Sequence, residues 1–577
     1  MKKLLLFLFV FSFSISNGQQ RWIWGTQGTT SNAPGEGYGI AVDLASNVYG
    51  TGYFAGNITV GSFMLSGPVA NSTAYIIKYR ADGVPLWVGQ SINTTQYGST
   101  AGFCVATDLT KNVYMAGSAI DTSRFGVDTV FGNSYLALHS NILNPNSFLI
   151  KYDSNGNILW LRQSIGASPK CVGQTNSVCT DNKKNVCITG YLKDTIKFGS
   201  YTLIDNSESP FLVKYDSSGN VKWAQQAFTI STLDISKGNG VVADSKDNIY
   251  ITGGFRDSTH FGRDSLYSAY NGFGDMFLVK YNASGSVLWA RQSKSNSFKS
   301  NAGGMGIAVD KFSNVYMTGE FQDTVNFGNV QLIAQGTSTY DIFIAKYDSN
   351  GTLIWAKTAV TFDNDVWEGY TIAADTNGHV FVSFGASGNH DFAIKYGTTT
   401  FITHIASTDG GSLIMKLDTA GNLICGNIVA GGGDDQNQLV CVPNGDYVYF
   451  GGDMWATTIF GTDTLTLQGN ETPFMAKWQP CGVVITDEGQ SHEEKKSITL
   501  FPNPNNGSFT IQTEGAQNFV PATIEIYNVL GEKVYTQFTT HNSPLTIDLN
   551  QPNGLYLYRV ISAEGDLIGE GKLVISK

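Results

Sequence analysis

The sequence predicts an all-β chain, a seven-bladed β-propeller over residues 19–480 followed, after a linker over 481–497, by a small C-terminal β-sandwich over 498–577. Three observations predict it. A segment typified by "GIAVDKFSNVYMTG", Gly306 to Gly319, returns at intervals of 63 to 73 residues. A strand carrying Trp closes each of the first five repeats, with Cys425 at its place in the sixth and none after the last. From Ser497 the repeat stops and a new alternation of short strands and Pro, Asn and Gly turns begins. Composition agrees, because 65 glycines and 12% aromatic residues describe many short strands joined by tight turns. With 577 residues and 14% charged groups, the chain is too long for one core and has too few charges for disorder.

The chain opens with "MKKLLLFLFVFSFSISNGQQ". Lys2 and Lys3 precede an apolar run from Leu4 to Phe13 and then small and polar residues. This order predicts a secretory signal peptide over residues 1–18, cleaved after Gly18, with no Cys at Gln19 to carry a lipid. The run is short for a membrane span and no second long one follows, so no transmembrane segment is expected. Removing the two lysines takes the formal charge from -11 to about -13. An acidic chain without basic stripes is a poor partner for a nucleic-acid backbone.

Within the repeats, the Asp of the "AVD" motif recurs at Asp43, Asp108, Asp181, Asp244, Asp310 and Asp375, with Val442 in the seventh place. Two residues before each stand Ala41, Ala106, Cys179, Val242, Ala308, Ala373 and Val440. Small or β-branched side chains suit an innermost strand crowded around an axis. A second strand ("NVYMTG"), a crossing segment ending near "FG", an apolar third strand ending in "KY", "KL" or "KW" and a hairpin such as "DSNG" follow in order. The outer strand then carries Trp24, Trp87, Trp160, Trp223, Trp289 and Trp355, with Cys425 in the sixth full repeat and nothing comparable after Lys477. Trp24 is therefore expected to supply the outer strand that the seventh repeat lacks, closing the ring and covering a strand edge. Each repeat is one small sheet that buries its faces only against its neighbours, so the repeated Trp are packing residues.

The pattern "GIAVD…NVYMTG…FG…IFIAKYDSNGTLIWAK" resembles the SBBP-type β-propeller repeats of bacterial secreted proteins, over about residues 21 to 480. That resemblance implies the fold and brings no shared catalytic motif. In the tail, "PNP", "YNVLGEKV", "GLYLYRV" and the terminal "KLVISK" resemble the type A C-terminal sorting domain of the type IX secretion system. The resemblance implies passage across the inner membrane by the signal peptide and across the outer membrane by recognition of residues 498–577. The type IX machinery is then the expected partner, and the protein is secreted, extracellular or held on the outer cell surface. The polar linker 481–497 is expected to be exposed and cleavable.

Seven cysteines are read as buried small hydrophobes or as holding one disulfide, Cys171 with Cys179 or Cys441 with Cys481. The seven histidines have no paired spacing, the recurrent Asp sit in turn sequences without a full calcium-ligand set, and neither a "GxSxG" elbow nor a Walker loop is present. No metal, cofactor or catalytic residue is therefore assigned. One face stands out. The position four residues before Ile40 holds Glu36, and its equivalents hold Glu368 and Asp435 in the sixth and seventh repeats, which are neighbours of the first in a closed ring. Trp367 and Trp455, outside the repeated set, and Asp434 accompany them. Carboxylates that bind hydroxyls or cations and rings that stack make Glu36, Trp367, Glu368, Asp434, Asp435 and Trp455 the candidate ligand contacts, for a glycan, an amine or a protein. The expected function is a non-enzymatic secreted or surface binding protein. The alternative is a glycan-active enzyme, a glycoside hydrolase or lyase, whose rim carboxylates would have to stand about 5–9.5 Å apart as acid and base.

Overall fold

The computed structural model describes residues 21–481 and 497–577, apart from 31–33, 94–96, 122, 126–135, 139–143, 169, 231–235, 269–273, 297–299, 336–339, 362–365, 388–392, 403–410, 431–437, 442–444, 455–456, 461–462, 468–470, 515–521, 529–531, 540–544 and 563–566. For residues 366–370 only the backbone is described. The expected signal peptide and nearly all of the linker lie outside the described residues. Every regular element among the described residues is a β-strand. The chain divides into two compact units, Met1–Val484 and Ile485–Lys577.

In the first unit the strands pair into antiparallel sets of four. The first set runs from an inner strand, Gly35–Val42, through Val48–Phe54 and Thr73–Tyr79 to an outer strand, Pro85–Asn93. Inner strands of the following sets are Ser99–Thr107, Val172–Thr180, Lys237–Ala243, Asn301–Val309, Val366–Ala374 and Gln438–Cys441. Each touches the next, and Gln438–Cys441 touches Gly35–Val42, so the inner strands form a closed, propeller-like ring. Third strands such as Thr73–Tyr79 and Asp275–Tyr281 are buried along their whole length, since both faces of each sheet are covered by neighbouring sheets. The last set takes its outer strand from the start of the chain. Arg21–Gln27 lies antiparallel to Thr472–Gln479, with Trp24 opposite Lys477.

One polar device joins set to set. The Lys ending a third strand and the Trp of the outer strand both donate to a single carbonyl in the hairpin of the next set. Lys78 Nζ and Trp87 Nε1 reach Ser154 O at 2.8 and 3.2 Å, and Lys151 and Trp160 reach Ser217 O at 2.9 and 3.1 Å. Lys280 with Trp289 on Ser349 O and Lys346 with Trp355 on Thr419 O repeat the clasp. Lys477 and Trp24, on two strands distant in sequence, complete it on Ala81 O at 3.3 and 3.0 Å.

In the third set Lys214 pairs with Asp181 instead and Trp223 alone reaches Ala283 O; the sixth set differs further, and there the cysteine expectation needs correction. Cys425 occupies the Trp register opposite Lys416 and is disulfide-bonded to Cys481, while Lys416 donates to Cys481 O at 3.4 Å. Neither expected pair forms. Cys171 and Cys179 are both free and buried; eight extended residues separate them by roughly 26 Å, beyond the reach of any disulfide. Cys441 ends an inner strand, whereas Cys481 follows the last third strand and meets the outer strand carrying Cys425.

The recurrent Asp close their own turns. Asp244 accepts from Lys246 N, Asn248 N and Asn248 Nδ2, each at 2.9 Å, and from Tyr250 OH at 3.1 Å. Asp43, Asp108 and Asp310 repeat this four-donor set. Their oxygens are thereby consumed locally, which is why Asp rather than another polar residue returns at that place.

The second unit is a sandwich. One sheet holds Ser497–Phe501, Ser508–Glu514 and Leu545–Asp548, and the other Lys533–Thr539, Ala522–Asn528, Gly554–Ser562 and Leu567–Ile575. Phe509, Ile526, Ile547, Tyr558, Leu573 and Ile575 are among the side chains that fill the space between.

Candidate ligand-binding face

Glu36 and Glu368 sit on inner strands. Glu36 lies opposite Tyr53 and Glu368 opposite Gly385 in equivalent registers, and the inner strand of the last set, Gln438–Cys441, touches both of their strands. The side chains of Trp367 and Glu368 are not described. Asp434, Asp435 and Trp455 lie outside the described residues.

Around Glu36 the arrangement is aromatic. Tyr38 OH donates to Glu36 Oε2 at 2.5 Å, Tyr53 OH donates to Oε1, and Tyr75 OH donates to the Glu36 backbone carbonyl at 3.1 Å. The rings of Tyr38 and Tyr53 stack at 5.7 Å, and Phe103 of the next set stands edge-on to Tyr38 at 5.2 Å. Burial first, then the Glu36 carboxylate, holds the hydroxyls of Tyr38 and Tyr53 well above the ordinary tyrosine range, so both stay protonated and donating. Asp453 and Glu471 of the last set, both buried, add to the same negative field.

Tyr38 is held there by a backbone irregularity that recurs around the ring. The ladder between inner and second strands slips at Gly37/Gly39, leaving Tyr38 as an extra, unpaired residue. Slips at the same register leave Phe103, Asn176, Asn239 and Met305 unpaired in the next four sets, and one between Glu368 and Thr371 falls at the same place in the sixth. A bulge of this kind re-aims a side chain. These side chains reach along the ring to one another: Asn176 Nδ2 donates to Gly238 O at 3.0 Å, and Asn239 Nδ2 to Gly304 O at 2.9 Å, with Met305 Sδ 3.3 Å away. Tyr38, Phe103, Asn176, Asn239 and Met305 are all half-buried, forming a belt of varied chemistry on a constant frame.

Attention to acids missed this belt. Its signal is positional: each bulge residue stands five places before the recurrent Asp, between small residues such as Gly37 and Gly39 or Gly238 and Gly240. The small flanks have a steric cause, since a Cβ on Gly39 would stand 2.8 Å from Cys104 Cα on the adjacent inner strand. Among the described residues no group of three His, Cys, Asp or Glu side chains is placed to hold a metal ion, and no helix is long and apolar enough to cross a membrane.

Comparison with known proteins bears mainly on the second unit. Residues 499–576 match the Secretion system C-terminal sorting domain family, and a domain of that kind marks the chain for secretion or for the cell surface. Over 439 residues, 65% of its length, the chain is 26% identical to an uncharacterized WD repeat-containing protein of Acanthamoeba polyphaga mimivirus, of which it spans 30%. Similar solved structures include the quinohemoprotein alcohol dehydrogenase of Comamonas testosteroni, at 11% identity and TM-score 0.33 with 83% of this chain and 79% of that one covered. The Synechocystis apocarotenoid oxygenase is similar at 9% identity and TM-score 0.31, covering 79% and 95%. PorZ, a surface component of the type-IX secretion system of Porphyromonas gingivalis, is similar at 10% identity and TM-score 0.17, covering 95% and 100%.

Proposed function

We propose that this chain is an exported, non-enzymatic binding protein, a ring of seven SBBP-type blades that offers the inner-strand belt to a glycan and is carried out of the cell by the type IX machinery through residues 498–577. The observation that supports this reading is the repeated bulge. A frame that spends a ladder irregularity at one register in successive sets, and fills it with Tyr38, Phe103, Asn176, Asn239 and Met305 in turn, is organised around the side chains presented there. Rings that stack on sugar faces, amides that both donate and accept, and carboxylates that accept from hydroxyls together match a glycan. Glu36, Trp367, Glu368, Asp434, Asp435 and Trp455 are the proposed contacts beside the belt. The Tyr38 and Tyr53 hydroxyls occupy both oxygens of Glu36, which favours a fixed recognition group over a proton-transfer group.

The test is a glycan array probed with the wild-type protein and with Tyr38→Ala and Glu36→Gln, run beside turnover assays on the same sugars. Binding without turnover, lost in Tyr38→Ala, is the expected outcome. Turnover abolished by Glu36→Gln would replace this reading with the glycan-active enzyme.

A further inference from the structure

Five of the seven outer strands carry a second regular feature, three residues after the Trp. The segments "WGTQ", "WVGQ", "WLRQ", "WAQQ" and "WARQ" place Gln27, Gln90, Gln163, Gln226 and Gln292 at one register, opposite Phe474, Tyr75, Phe148, Phe211 and Phe277. The side-chain amide of this Gln closes a strand edge. Gln90 accepts from Ser66 N at 3.1 Å and donates to Ser66 O at 2.8 Å. Gln226 does the same to Ile204, at 2.8 Å in both directions, and Gln292 to Tyr267 at 3.0 and 2.8 Å. Ser66 and Tyr267 each end the second strand of the short hairpin inserted between the second and third strands of their set, and Ile204 holds the equivalent place inside the long strand Tyr201–Tyr215. In all three sets the amide serves as a surrogate peptide on an otherwise open edge.

The fifth set breaks the pattern. Its segment is "WAKT", with Thr358 opposite Phe343, and the matching hairpin strand is Val330–Ile333. Thr358 is too short to reach it, and its buried Oγ1 has no partner among the described residues. Ile333, opposite Thr324, stands three places from the pair that closes its turn, as Ser66 and Tyr267 do in their hairpins, so by antiparallel alternation its N–H and C=O point away from the hairpin as theirs do. The sixth set has Ile428 at this register, packed against the core. Thr358 thus leaves an open edge where Gln90, Gln226 and Gln292 close one.

That edge borders a groove of about 790 Å³ between Val330–Ile333, the outer strand Leu353–Thr361 and the turn at Gly397. Lys357 and Lys395 line it and no Asp or Glu does, in a chain with 47 acidic and 36 basic residues. Lys357 donates to Gly421 O and Asn422 Oδ1, leaving one N–H, and Lys395 is exposed. Asp418, whose charge acts on Lys357, is engaged by Ala420 N, Asn422 N and Asn422 Nδ2 in its own turn.

We propose that this groove takes an extended acidic peptide, one residue of which exchanges both backbone hydrogen bonds with Ile333 while its carboxylates meet Lys395 and Lys357. Main-chain pairing at an open edge supplies the affinity and the lysines select for charge. The groove lies on the perimeter, so this inference stands independently of the belt.

The chain itself supplies the blocking variant. Thr358→Gln installs the amide that Gln292 carries one set earlier, and it should occupy the edge without lowering the melting temperature. The full-length protein is to be probed with an array of proline-free hexapeptides carrying none to three Asp or Glu residues, with hydrogen exchange followed at Ile333. Binding that rises with acidic content, falls at least tenfold in Thr358→Gln and falls severalfold in Lys395→Glu is expected. In the free wild type the Ile333 amide should exchange faster than that of Tyr267 and become protected in the variant. No peptide binding to the wild type, or equal binding by Thr358→Gln, overturns the proposal. If Thr358→Gln does not fold, unchanged binding by Lys395→Glu overturns it equally.

Discussion

Asp244 and its equivalents show how much one short side chain can do in this chain. Its carboxylate takes four donors within a single turn. Burial pushes its pKa up, but the hydrogen bonds from Asn248, Lys246 and Tyr250 outweigh this and leave the group below the ordinary carboxylate range. Asp108 and Asp181 are lowered likewise, Asp181 with help from Lys214 Nζ at 2.7 Å. A carboxyl with a depressed folded-state pKa contributes stability that is fully present above the unfolded value, about 3.9, and is lost as pH falls through the folded value. Thermal melts between pH 7 and pH 2 should therefore show stability falling below about pH 4. Asp275 and Asp341 work in the opposite sense: burial raises them, so their contribution is present at low pH and is lost as pH rises through their folded values. Asp244→Ala should cost roughly 1–3 kcal/mol by leaving buried donors unmatched, measured by urea unfolding. A flat response there would mean that water replaces the carboxylate at no cost.

At the scale of elements, the ring depends on two closures of different chemistry. Arg21–Gln27 adds the last outer strand and brings Trp24 onto Ala81 O, and the ring of Trp22 packs edge-on against Phe460 at 4.7 Å. Deleting residues 21–27 exposes a strand edge and an apolar face together, and should lower unfolding stability by more than about 3 kcal/mol. An unchanged melting temperature would remove the strand from any structural role. The second closure is the Cys425–Cys481 disulfide, which stands where the other sets have a Trp indole on a carbonyl. The chain departs after Cys481 with no further hairpin of the repeat, so a covalent bond does here what a hydrogen bond to the next turn does elsewhere. Replacing both cysteines by Ser should cost about 2–4 kcal/mol, and reducing agent should lower the melting temperature of the wild type to that of the double variant.

For the whole molecule the decisive part is the second unit. Its match to a secretion-system sorting domain over residues 499–576 makes export a property of the tail. Removing residues 499–576 should leave the protein inside the outer membrane, detected by immunoblotting of periplasmic and culture fractions. Normal amounts in the medium would assign export to another segment. The net charge of -11 keeps such an exported chain soluble and directs any anionic ligand to local exceptions such as the groove at Lys357 and Lys395.

The repeat, the order of strands and the sorting tail were legible in the sequence because each is written locally. The Asp turn, the apolar third strand and the Trp strand each follow from nearest-neighbour rules that hold wherever the segment stands. The partner of Trp24 was legible too, since a missing Trp strand at one end and a surplus one at the other admit few arrangements. What the sequence left open depends on distances across the ring. Cys425 and Cys481 meet only because the chain's exit lies against the outer strand of the sixth set, and no spacing rule encodes that approach. Tyr38, Tyr53 and Phe103 gather around Glu36 only because a bulge turns one side chain out of the strand alternation that a reader of sequence assumes. Thr358 reads as an ordinary polar residue until its Gln equivalents are seen holding strand edges that are remote along the chain. Local periodicity therefore determined the elements, and the tertiary structure decided which side chains face one another, because facing is set by ring closure and bulge geometry, which act between residues far apart in the chain.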